Sequence, residues 1–229
     1  MTDFIAEDAH GERVFVHIAE ASGKSDLLPG FSDPVNGAQS TFRSLLHALS
    51  HPGTVVPLRA DATDTTVPPG FSSAMTALLL TLVDSDTPLW LPPGISDATR
   101  QFLRFHCACP FVDTPSEARF VAVPAGFTVP ALHTCNQGDP AFPDRSTTLI
   151  IEVEALYAPT AAQIQNSEPA FVLSGPGIEH IQSLAVHGLP DDFVVQWRGN
   201  HQHFPLGVDV FFSFDTAVCG LPRTTRLES

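Results

Sequence analysis

Apolar residues crowd most densely between Phe71 and Leu91. Phe71, Ala74, Met75, Leu78, Leu79 and Leu82 recur at helical spacing, and Leu80 and Val83 fall off that stripe. A helix that is apolar almost all round is a buried helix. Asp84-Ser85-Asp86 stops it, because short polar side chains compete for backbone hydrogen bonds and favour turns. Thr87 to Leu91 then leaves as a short extended segment. This stretch predicts a central helix, an acidic turn and a strand.

Elsewhere the pattern predicts alternating helices and strands. Residues Met1 to Asp26 carry little pattern, although Arg13 to Ile18 reads as a strand. Gly23-Lys24-Ser25 imitates the end of a phosphate-binding loop, but Ile18 stands where the first glycine is required, so the segment reads as a linker. We therefore expect a weakly ordered extension over residues 1–27 and one domain over 28–229. Asp33-Pro34 starts a helix, with a capping carboxylate followed by proline at the first helical position. Phe42, Leu45, Leu46 and Leu49 mark its apolar face, and Pro52-Gly53 ends it. Thr54 to Leu58 is expected to be extended. Ser96 caps a further helix to about Phe105, and Cys109 to Val112 looks extended. Thr114-Pro115-Ser116-Glu117 has the form of a capping box before a short helix. Phe120–Val123, Thr147–Val153 and Ala170–Leu173 read as strands, and Ile181 to Val186 as a less regular one. Pro124 to Arg145 is irregular, with room for one helical turn. Asp191 to Arg198 is helical, with Phe193, Val194 and Trp197 on one side. Val208, Val210, Phe212 and Phe214 alternate, so that strand buries at least one face, and Val218 to Leu221 returns as a hairpin. The fold class is α/β, with a mixed sheet flanked by helices.

Composition narrows the function. The formal net charge of −14 leaves no surplus of cations to neutralise nucleic acid or an anionic membrane. No apolar run approaches the length of a membrane span. The N-terminus lacks the basic and apolar regions of a signal peptide, so the protein is read as cytoplasmic and its four cysteines as reduced thiols.

Six stretches together resemble one family. They are Ala38-Gln-Ser-Thr-Phe-Arg-Ser-Leu-Leu-His-Ala-Leu-Ser-His-Pro-Gly53, Leu79-Leu-Thr-Leu-Val-Asp-Ser-Asp-Thr-Pro-Leu-Trp-Leu91, Leu103-Arg-Phe-His106, Leu173-Ser-Gly-Pro-Gly-Ile178, Phe204-Pro-Leu-Gly-Val-Asp209 and Leu221-Pro-Arg-Thr-Thr225. The chain resembles the H subunit of the bacterial carbon–phosphorus lyase system from about Leu28 to Glu228. Nothing carries over to the extension before it. The resemblance implies a fold similar to the large domain of fold-type-I pyridoxal-phosphate transferases, without the cofactor. It also implies a homodimer in isolation and association with the G, I and J subunits. That assembly joins a phosphonate to the ribose of a nucleoside triphosphate and displaces the base. The family offers no established catalytic residue in this subunit.

Candidate chemistry is sparse. Pyridoxal phosphate needs a lysine for its Schiff base, and Lys24 is the only lysine, so no cofactor is expected. His106-Cys107-Ala108-Cys109 raises a metal site against buried or free thiols. Adjacent His106 and Cys107 do not readily turn to one ion, which favours thiols. His201-Gln202-His203 lacks a nearby third ligand and reads as a loop. Asp84 and Asp86 offer carboxylate oxygens for magnesium, or simply hydrogen bonds within a turn. Arg43, Arg104 and Arg223 are the candidates for binding an anion or a partner, because guanidinium forks match phosphate and phosphonate. His106, Thr224 and Thr225 stand beside two of them. The competing reading is ion pairing in a chain whose acids outnumber its bases 25 to 11. Pro176 removes an amide donor from Gly175-Pro-Gly177, which favours a turn over a phosphate cradle. Two functions remain open. One is a docking subunit of the phosphonate-processing complex; the other is a stand-alone enzyme acting on a phosphonate or nucleotide through an arginine-lined site.

Overall fold

The computed structural model describes residues 4–7, 13–16, 28–160 and 170–228. Near the N-terminus, β1 (Phe4–Glu7) and β2 (Arg13–Val16) pair as an antiparallel ribbon; the remainder of the strand expected from Arg13 to Ile18 lies outside the described residues. Lys24 and the Gly23–Ser25 linker lie outside the described residues.

Helix α1 (Pro34–Ser50) starts where its cap predicts. The Asp33 carboxylate accepts the N–H groups of Val35 and Asn36, each at 3.1 Å. The bonds from Asn36 hold the Asp33 carboxyl below its usual value. The predicted apolar face is buried only in part: Leu45 is buried and Leu49 packs against the core. Gly37, Ser40, Thr41, Leu45 and Ala48 face inward, while Phe42 and Leu46 are exposed. The cause is the closeness of the helix to the sheet. A Cβ at Gly220 would lie 2.8 Å from the backbone of Ala48 and Leu49. Only small side chains fit such a seam, and the Thr41 hydroxyl donates to Gly37 O at 2.8 Å, so burying it leaves no orphan.

After β3 (Val56–Pro57) and the single turn α2 (Ala60–Thr63) comes the central helix, α3 (Ser73–Leu82). Ser72 Oγ caps it by accepting the Met75 N–H, and every residue from Ala74 to Leu79 is buried. Full burial of each large apolar side chain is worth about 1.5–3 kcal/mol. The acidic turn and β4 (Leu89–Trp90) follow as expected. Ser96 Oγ caps α4 (Asp97–Cys107) through the Thr99 N–H. Cys109 to Val112 gives only a bridge at Phe111 to Leu89. Pro115–Glu117 is a 3-10 turn rather than a boxed helix. The Thr114 hydroxyl donates to the Glu117 carboxylate at 2.9 Å instead of capping the backbone.

β5 (Phe120–Val123) and β6 (Thr148–Glu152) are joined through two 3-10 turns, Leu132–Thr134 and Pro143–Arg145. β7 (Ala155–Tyr157), β8 (Phe171–Ser174) and β9 (Gln182–His187) precede α5 (Phe193–Gln202). β10 (Asp209–Phe214), β11 (Ala217–Leu221) and β12 (Arg226–Glu228) close the chain. The main sheet has the order β3-β11-β10-β6-β5-β4. Its pairs from β10 to β4 are parallel, and those at β11 are antiparallel. β12-β8-β9-β7 form a second, antiparallel sheet.

The main sheet is buried on both faces. Ile150, Ala122, Phe211 and Val218 pack under α1, α3 and α4. Leu149, Ile151, Val210 and Phe212 pack with Phe193 and Trp197 of α5 and with Leu173, Leu184 and Leu227 of the second sheet. Val208, Val210 and Phe212 of the predicted alternation are buried, but Phe214 is exposed, and the intervening Phe211 and Ser213 are buried as well.

Candidate functional site

The structure scatters the candidate residues over four regions. Arg223 lies just beyond β11 and is committed to its own chain. Its Nε donates to Asp209 Oδ1 at 3.1 Å, and its Nη2 to Asp209 Oδ2 and Ser146 Oγ, both at 2.5 Å. Its Nη1 donates to the carbonyls of Pro143 and Pro205 at 3.2 and 3.3 Å. A guanidinium has five N–H donors, and these five bonds engage all of them. The pair clamps the loop before β6 and the loop before β10 to the end of β11. Thr224 is half-buried. Thr225 is buried, and its carbonyl accepts the Trp197 indole N–H at 2.9 Å, while its hydroxyl oxygen has no partner.

Arg104 lies in the last turn of α4, where a cation suits the helix dipole. Its guanidinium stands 5.2 Å from the centre of the Phe111 ring, and that of Arg100 stands 5.4 Å from the same ring. His106, two residues on, turns the other way. Its Nε2 is 2.8 Å from Leu28 O and therefore donates, and its ring packs on Phe102 and Phe105. A Cβ at Gly30 would come within 3.0 Å of that ring. His106 thus fastens the segment entering the domain to α4.

Asp84 and Asp86 are exposed and form an Asx turn. Asp84 Oδ1 accepts the Asp86 N–H at 3.0 Å, and Thr87 Oγ1 accepts the Asp84 N–H at 2.7 Å. Among the described residues, no group of three or more His, Cys, Asp or Glu is placed to hold a metal. Burial pushes Cys107, Cys135 and Cys219 up to about 12. His201 Nδ1 donates to Arg223 O at 2.9 Å. Glu152, at the end of β6, accepts the Ser72 N–H at 3.2 Å, and burial pushes its carboxyl up.

Arg43 faces a pocket. A groove of about 360 Å³ runs between α1 and the β3–α2 junction, lined by Ser40, Arg43, Ser44, His47, Val56, Arg59 and Asp61. Among the described residues Arg43 bonds only the neighbouring Gln39, at 3.3 Å, and Arg59 is paired with Asp61 at 3.5 Å. The spacing of residues 40, 43, 44 and 47 on one helical face signals this wall, but the contribution of Arg59 has no signal in the sequence. A second pocket of about 210 Å³ lies between α5 and β12, with Arg198, His201 and Arg226. A third, of about 180 Å³, includes His133, Gln196 and His203.

Fold and side chains together define a layered α/β protein in which Arg104, His106 and Arg223 serve internal contacts and one groove on α1 keeps an available arginine. Comparison with known proteins is specific. The family described as bacterial phosphonate metabolism protein (PhnH) matches residues 29–228, and the chain belongs to that family. It is 39% identical over 209 residues to the "Alpha-D-ribose 1-methylphosphonate 5-triphosphate synthase subunit PhnH" of Rhizobium meliloti (strain 1021), covering 90% of this chain and 98% of that protein. It is 33% identical over 190 residues to the "Putative C-P lyase subunit protein HtxG" of Stutzerimonas stutzeri, covering 82% of this chain and 85% of that protein. The resemblance read from the six stretches is therefore correct, and the chain acts in phosphonate metabolism. No helix among the described residues is long and apolar enough to cross a membrane.

Proposed function

We propose that this chain is a docking subunit of the complex that forms a ribose 1-phosphonate 5-triphosphate from a phosphonate and a nucleoside triphosphate. It contributes binding and organisation, and the bond-making falls to its partners. The observation that carries this reading is the near full-length match to a relative named as a subunit of such a synthase. The exposed apolar stripe on α1, Val35, Phe42 and Leu46, supports it, because a soluble chain gains by covering such a stripe. The proposed occupants are a second copy in isolation and, in the cytoplasm, the G, I and J subunits. The parallel run β4-β5-β6-β10 with antiparallel β11 beside it suits the kinship proposed with the large domain of fold-type-I pyridoxal-phosphate transferases.

The test is co-expression with the three other subunits. Light scattering should give a dimer for the isolated chain, and the chain should co-elute with the core. Formation of the ribose 1-phosphonate should fall when it is omitted. A strict monomer that ignores the core, yet turns over a phosphonate or nucleotide alone, would remove the docking reading and leave the stand-alone enzyme.

A further inference from the structure

We propose that the α1 groove is a binding site for a dianionic tetrahedral phosphorus oxyanion, the group shared by a phosphonate and by the phosphate end of a nucleotide. The choice of ligand class rests on the reading above; the pocket itself does not.

Three features lead there. First, Arg43 and His47 stand one helical turn apart on α1, and Arg59 reaches the same groove from a different element. Cationic and imidazole donors on two walls suit a ligand with oxygens pointing several ways, which a tetrahedral oxyanion has and a planar carboxylate lacks. Second, these donors are available. Arg43 spends one N–H on Gln39, and His47 stacks on His51 at 4.3 Å with no hydrogen bond from its own ring nitrogens among the described residues. The Arg59–Asp61 pair is open to water, with side chains 75% and 39% exposed, so a ligand displaces little by recruiting Arg59. Third, the one carboxylate in the groove is answered by its own surroundings. Asp61 Oδ1 accepts from Ser40 Oγ and from the Ala62 N–H, at 3.0 and 3.1 Å, and faces Arg59. The groove therefore keeps a net positive character within a chain of net charge −14. The α5–β12 pocket also holds two arginines, but it is smaller, about 210 Å³. A volume of about 360 Å³ lies at the lower end of the ~300–1,000 Å³ usual for ligand pockets. It admits the oxyanion with a small substituent and leaves most of a nucleotide outside.

The experiment is calorimetric titration of the full-length protein with methylphosphonate, inorganic phosphate and tripolyphosphate in separate arms. The same titrations are run on Arg43→Gln, His47→Gln, Arg59→Gln and, as a control, Arg145→Gln, whose guanidinium lies over Phe142 away from the groove. Thermal unfolding checks that each variant is folded. At least one oxyanion should bind saturably. Arg43→Gln should weaken that binding about tenfold or more, which is about 1.4 kcal/mol, with smaller losses in the other two groove variants and none in the control. Binding of methylphosphonate assigns the phosphonate as the source. Binding of phosphate or tripolyphosphate without methylphosphonate assigns the nucleotide, and supports the site equally. Absence of saturable binding in every arm overturns the proposal, as does binding that Arg43→Gln leaves unchanged. Groove variants that lose co-elution with the core while no arm shows binding would make the groove a docking contact and also overturn it. Conversely, a chain that binds an oxyanion here but never joins the core would refute the docking reading and leave this site standing.

Discussion

Replacing Arg223 by methionine would test how much the clamp below β11 holds the fold together. The substitution keeps an unbranched apolar stem and removes five donated bonds at once. Asp209 keeps the Arg223 backbone N–H, at 2.8 Å, as its remaining partner from that residue. The carbonyls of Pro143 and Pro205 and the Ser146 hydroxyl lose a charged donor. Breaking a fully buried pair costs about 3–5 kcal/mol. Here the side chains are 12% and 25% exposed, so water relieves part of the loss and about 2–4 kcal/mol is expected. For a chain of this size about 2–4 °C of Tm accompanies each kcal/mol, so the midpoint should fall by about 5–15 °C. Arg59→Gln is the control: its pair is exposed, and it should change stability by less than about 1 kcal/mol. The double variant Arg223→Met, Asp209→Leu should recover part of the loss, because much of the cost is the stranded carboxylate. Differential scanning calorimetry of the four proteins decides the matter. A drop in Arg223→Met no larger than in the control, or a double variant no better than the single, would refute the reasoning.

Three other outcomes are expected. Leu79→Asp should abolish soluble expression, since Leu79 is wholly buried and an unpaired charge there costs as much as the whole stability of a domain; soluble protein with unchanged unfolding would contradict this. Glu152 holds its proton to higher pH in the folded chain than in the unfolded one, so the fold loses stability as pH rises from the ordinary value of 4.5 through the raised folded value. Glu152→Gln should therefore unfold at a higher temperature than the parent at pH 7 and at the same temperature near pH 4; a variant less stable at pH 7 would show that the charged carboxylate is needed. Cys107, Cys135 and Cys219, pushed up to about 12 by burial, should resist iodoacetamide in the native protein at pH 8 and react once unfolded; mass spectrometry showing rapid native alkylation would count against their burial.

What the sequence made legible is local. Asp33-Pro34 and Ser96 cap helices through neighbours two or three residues away, and the all-round apolar character of α3 announces its burial. Phe42 and Leu46, expected on the apolar face of α1 with Leu45 and Leu49, turn outward because the inward side is shaped by a glycine far along the chain, Gly220. β7 and β12, three residues each, are too short to show a period and owe their existence to partners in the second sheet. For the site, the arginines were visible as residue types, but their employment was not. Arg223 is spent on Asp209, Ser146, Pro143 and Pro205, which lie 14 to 80 residues away, while Arg43 gains Arg59 as a groove neighbour only once α1 and β3 are packed.

The seam between α1 and β11 has a consequence for recognition. With Gly220 against the backbone of Ala48 and Leu49, the helix has little room to roll or slide on β11. Val35, Phe42 and Leu46 are consequently held at one fixed azimuth before any partner arrives. A surface so preorganised loses little conformational entropy on association, which favours slow dissociation and a single register of docking. Enlarging Gly220 would therefore be felt twice, inside as strain and outside as a loosened handle.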